Sequence, residues 1–86
     1  VEYTILENEL KMLVAEIVEI NPDKITAEAK FVEDLGTDSM KALEIMAAVE
    51  KKYKIRIPED NLQRIVSLKE LTRLVFDIIN KGPNGK

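Results

Sequence analysis

The chain has 86 residues, a formal net charge of −3, and neither Cys nor His. A single small domain suits that length, and burying roughly 60–65% of the unfolded surface leaves one compact core and no deep catalytic cleft. The composition removes disulfides, thiolate chemistry and the commonest neutral-pH base and metal ligand, while the net charge disfavours nucleic acid and anionic lipid as partners.

Leu6, Leu10, Leu13, Val14 and Ile17 recur at helical spacing, with acids and Lys11 on the other faces. They predict a first helix from about Thr4 to Glu19, halted at Asn21-Pro22, where proline offers no amide donor. A long connection follows, roughly Ile20 to Asp38, a length that usually signals function. Thr26 to Ala29 suggests a single turn inside it. Phe31, Val32 and Leu35 are expected to pin it to the core, and Gly36 offers a permissive backbone.

A second helix is expected from Ser39 to about Lys54, with Asp38 as N-cap and Leu43, Met46, Val49 and Tyr53 as its stripe. Ile55-Arg56-Ile57 before Pro58 reads as a connector, because a lone short strand is unstable. Pro58 then opens a short helix, about Glu59 to Ile65. Ser67 and Glu70 form a capping-box pattern that starts the last helix, about Leu68 to Asn80, with Leu71, Leu74, Val75 and Ile78 facing inward.

The expected fold is therefore all-α, a four-helix bundle with a long first loop and a short third helix. Residues 1–80 form the domain and 81–86 a flexible tail. No apolar run reaches the length of a membrane span and no signal-peptide pattern opens the chain, so a cytoplasmic monomer without stable membrane association is expected. The first residue is Val1 and not Met, which implies a processed or trimmed start.

The informative stretch is Asp34-Leu35-Gly36-Thr37-Asp38-Ser39-Met40, with Glu44 five residues after the serine and Ile55-Arg56-Ile57-Pro58 downstream. These residues, with Phe31 to Gly36 and Ala48-Val49-Glu50, resemble the acyl carrier protein family over about Leu6 to Ile79. The resemblance implies that a separate phosphopantetheinyl transferase joins 4′-phosphopantetheine, taken from coenzyme A, to Ser39. Acyl groups then ride on its thiol as thioesters, in fatty acid or related lipid or polyketide biosynthesis. It implies a carrier, not an enzyme, and no catalytic residue is assigned.

The residues agree with that role. Ser39 opens a helix, where the dipole favours a phosphodiester. No His is present, and Lys41 lies on another face, so nothing would make Ser39 a nucleophile in its own right. Taken alone, Asp38-Ser39 is an ordinary helix start; the whole heptad gives it meaning. Asp38 reads as N-cap and, by resemblance, as part of what the transferase recognises. Asp34 reads either as a second such contact or as a solvated loop acid. Glu33 to Glu44 has the length of a calcium loop, but Leu35, Thr37 and Asp38 stand where ligands and glycine are needed, so no metal is expected.

Leu43, Met46, Leu62, Ile65 and Leu71 are expected to surround the space between the last three helices. Simple core packing accounts for them in part, and the resemblance adds that such a core opens to hold an acyl chain. Acyl-transferring or acyl-modifying enzymes are expected to meet Met40, Lys41, Glu44, Ala47, Glu50 and Lys51. In the resembled family the second helix is usually strongly acidic. Here Glu44 and Glu50 face Lys41, Lys51, Lys52 and Lys54, which points to a specialised carrier with its own partners. An aminoacyl or peptidyl carrier, and an unmodified helical interaction module, are the alternatives.

Overall fold

A computed structural model describes residues 2–31, 36, 38–58 and 67–81. Within them the chain is all-helical: α1 is Tyr3–Val18, α2 is Ser39–Tyr53 and α3 is Leu68–Lys81. The short helix expected at Glu59 to Ile65 lies outside the described residues, as do Val32, Leu35, Leu62 and Ile65. Lys81 is still helical, so α3 runs one residue into the segment expected to be tail.

The first two helices end by the same device. The last residue's successor, Glu19 for α1 and Lys54 for α2, turns into the left-handed region, with φ of 59° and 56°. The amides of Glu19 and Ile20 then both donate to Ala15 O, and those of Lys54 and Ile55 both donate to Glu50 O. Each of these carbonyls thus accepts two hydrogen bonds, one from the cap residue and one from the residue after it. Thus α1 stops at its own cap, before Pro22 is reached. Pro22–Lys24 forms a 3₁₀ turn not foreseen from the periodicity, with Asn21 accepting from the Asp23 amide at 2.9 Å. α3 opens as expected: Ser67 Oγ accepts from the Glu70 amide at 3.4 Å and Ser67 O from the Leu71 amide at 3.0 Å.

The core joins Leu6, Leu10 and Val14 of α1 to Ile45, Met46 and Val49 of α2 and to Leu68, Leu71 and Val75 of α3. α1 packs against both other helices. Tyr3 and Phe76 meet edge to face at 5.2 Å between ring centres, which closes α1 on α3. The long loop contributes Ile25, Ala29 and Phe31, all buried. The expected turn at Thr26 to Ala29 is present, the Ala29 amide donating to Thr26 O at 3.1 Å. An isolated antiparallel bridge between Lys30 and Ser67, with the Lys69 amide donating to Ala27 O at 2.8 Å, docks this loop on the start of α3. Thr72, buried on α3, returns its hydroxyl proton to Leu68 O at 2.8 Å, so its burial leaves no polar group unsatisfied.

The buried seam of α2 differs from the expected one. Ile45 is fully buried, whereas Leu43 is 49% exposed. Apolar residues occur on two adjacent stripes of this helix, 42/45/49 and 43/46, so periodicity alone does not choose between them. Packing against α1 selects the seam centred on Ile45, Met46 and Val49. Leu43 is thereby turned outward and does not line the interior.

Candidate functional site

Ser39 is the first residue of α2. Asp38 holds an extended backbone before it and caps the helix, its Oδ1 accepting from the Lys41 amide at 3.0 Å. The Ala42 amide donates to Asp38 O at 3.0 Å, the first helical bond. The amides of Ser39 and Met40 come ahead of that bond, at the positive end of the helix dipole, where a phosphodiester is stabilised. Gly36, Asp38 and Met40 are all exposed on either side, Met40 by 73%. Gly36 has φ of +68°, a backbone that glycine adopts without strain, and a Cβ built there would meet nothing within 4 Å. The start of α2 therefore offers backbone donors to an anion, next to residues that are exposed. Asp34 lies outside the described residues.

An exposed stripe runs along α2 through Met40, Leu43, Glu44, Ala47 and Lys51. Its first two turns are apolar with a single acid. Lys51 and Lys52 occupy the last turn, where they complement the negative end of the dipole. Twelve residues separate Lys51 from Ser39, about 18 Å along the axis. The basic residues of this stripe thus sit at the end of the helix far from Ser39.

Two residues expected on the partner surface are engaged within the fold. Lys41 is half-buried and its Nζ reaches back to Ile17 O of α1 at 3.4 Å, and also lies 3.4 Å from Glu44. The last turn of α1 has no basic residue of its own, so Lys41 supplies that cation from the neighbouring helix. Glu50 accepts a hydrogen bond from the Ile57 amide at 2.6 Å. Its carboxylate therefore fastens the connector after α2. Neither contact follows from sequence periodicity, because each joins segments brought together only by packing. At the other end of the α1–α2 pair, Tyr53 OH donates to Glu9 Oε1 at 2.8 Å. Burial, then the hydrogen bond and the negative charge of Glu9, push the Tyr53 phenol well above its ordinary range. Met46 and Leu71, expected inside, are buried.

The described residues thus form a small helical domain in which Asp38 caps the helix that begins at Ser39. Residues 8–75 match the family described as "Phosphopantetheine attachment site". The chain is similar to the acyl carrier protein of Wolinella succinogenes, 35% identical over 79% of this chain and 90% of that one. It is also similar to those of Sulfurovum sp., 33% identical over 85% and 97%, and of Helicobacter pylori strain J99, 32% identical over 84% and 92%. The chain belongs to the acyl carrier protein family. It is a carrier and not a catalyst, and 4′-phosphopantetheine is its cofactor. Phosphopantetheinyl transferase and acyl-handling enzymes are the partners this family membership implies.

Proposed function

We propose that Ser39 is the attachment residue and that the chain presents acyl groups from the start of α2, in fatty acid or related lipid or polyketide biosynthesis. The observation that supports this is the placement of Ser39: first residue of α2, directly after the Asp38 cap, with Asp38 and Met40 exposed on either side. Ser39 would hold the group through a phosphodiester and the amides at the helix start would face its charge. 4′-Phosphopantetheine supplies, when bound, the thiol on which an acyl group rides, which this chain lacks. Asp38 fixes where the helix begins and so where residue 39 stands. Asp38, with Asp34 as a second contact, is what the transferase reads.

In the same reading the enzymes that use the cargo dock along Met40, Leu43, Glu44 and Ala47, with Lys51 at the edge. Met46 and Leu71 belong to the interior that shelters an acyl chain. Met46 suits that role because a thioether side chain repacks easily. The protein works as a cytoplasmic monomer. Among the described residues no helix is long and apolar enough to cross a membrane.

The test is intact mass after incubation with a phosphopantetheinyl transferase and coenzyme A. The parent chain gains one arm and Ser39→Ala gains none, while the circular dichroism of the two coincides. An alanine variant that still takes the arm would place the attachment elsewhere.

A further inference from the structure

α1 carries a surface that the attachment site does not use. Ile5, Glu9, Met12 and Glu16 fall within about 60° of one another around the helix. All four are exposed, Ile5 by 55% and Met12 by 59%. Exposed Glu2 and Glu19 extend the acidic character to both ends, and Lys11 lies about 100° from the nearest member of this stripe. Beside the stripe runs an open groove of about 530 Å³. Its apolar wall includes Met12, Leu13, Ile20 and Pro22, and its rim carries Glu9 and Glu16 on α1 and Lys52 across on α2. Glu9 is held in place by Tyr53, and the Lys52 ammonium lies 5.8 Å from the centre of the Tyr53 ring.

We propose that this groove is a second docking surface, taken by a basic amphipathic helix of a partner protein. Apolar anchors at helical spacing would enter between Met12, Leu13, Ile20 and Pro22, and lysines or arginines would meet Glu9 and Glu16. Acidic charge along α1 attracts that partner and repels an anionic lipid surface, which excludes a membrane as the occupant. The basic turn that ends α2 and the acidic α1 give the two faces opposite sign. Within the groove a basic segment is therefore drawn to the α1 wall, with Glu9 and Glu16, and away from Lys52 on the opposite rim. The geometry also serves the arm. α1 and α2 run antiparallel, with Glu9 beside Tyr53 and Ile17 beside Lys41. The Glu16–Pro22 end of the groove thus lies at the end of α2 that carries Ser39, so a partner held there stands close to the cargo.

The experiment uses the full chain, labelled with nitrogen-15, and two synthetic amphipathic helices with the same leucine face, one with a lysine polar face and one with glutamate. The lysine peptide should shift the amides of Met12, Leu13, Glu16 and Ile20, and its affinity should fall as salt rises. The combined change Met12→Ser and Glu16→Lys should weaken binding about tenfold. Thermal melting of this variant should match the parent, since both side chains are exposed. Ser39→Ala should bind as the parent does, which separates this surface from the attachment site. Equal binding of the glutamate peptide, shifts centred on Met40 to Ala47, or an unchanged affinity in the double variant would overturn the proposal. So would a concentration-dependent dimer that Met12→Ser abolishes, because a second copy would then be the occupant.

Discussion

Replacing Glu50 by alanine should destabilise the fold more than any other exchange of an α2 surface residue. Glu50 organises the exit of α2 twice: its carbonyl receives the amides of Lys54 and Ile55, and its carboxylate receives that of Ile57 at 2.6 Å. The Ile57 side chain is buried, so its backbone cannot turn to water without pulling that side chain from the core. Alanine keeps the carbonyl bonds and removes the carboxylate. A half-buried amide left without an acceptor costs about 1–3 kcal/mol. For a domain of this size each kcal/mol moves the melting temperature by about 4–8 °C, so a loss of roughly 8–16 °C is expected for a mid-range cost. Glu50→Gln keeps an oxygen acceptor and should lose less than half as much, because only the charge assistance is gone. Thermal melts of the three proteins by circular dichroism, all in the unloaded form, decide it. If Glu50→Ala melts within about 2 °C of the parent, the carboxylate does not anchor the connector. If it also slows docking of acyl-handling enzymes, Glu50 is a partner contact after all.

Three further outcomes are expected. Glu19→Gly and Lys54→Gly should each stabilise the chain by up to about 1 kcal/mol, since both replace a side chain held at positive φ; equal or lower midpoints in urea would contradict this. The Tyr53 phenol ionises less readily in the folded state than its ordinary value of 10.0. The stability it contributes is therefore fully present below pH 10 and declines above it, as the unfolded chain alone ionises. Tyr53→Phe should flatten that decline, with Tyr3, also raised, keeping a remnant of it; an unchanged slope of denaturation midpoint against pH would refute the assignment. Lys51→Glu with Lys52→Glu should speed association with basic acyl-handling enzymes at low salt and lose the effect at high salt. Lys41 should be left in place, because its contact with Ile17 O makes an acidic replacement there a change of fold stability. Identical association rates for the double variant would show that the end of α2 does not select partners.

Local rules carried the sequence a long way. The three described helices start and stop within a residue or two of where periodicity and caps put them. Asp38 and Ser67 act as caps because each needs only an amide three residues on. Phe31 pins the loop because burying a large aromatic side chain is strongly favoured. The heptad Asp34 to Met40 was legible for the same reason, as a contiguous pattern at a helix start. What required the tertiary structure is every choice between equivalent local options. α2 has apolar residues on two neighbouring stripes, and only the position of α1 buries Ile45 and exposes Leu43. Glu50 and Lys41 look like surface charges in the chain, yet each is committed to a backbone group seven or twenty-four residues away. The groove along α1 is assembled from one helix, the 3₁₀ turn and the last turn of α2. Such features depend on which side chains meet across helices, and the sequence period of a single helix contains no information about its neighbour.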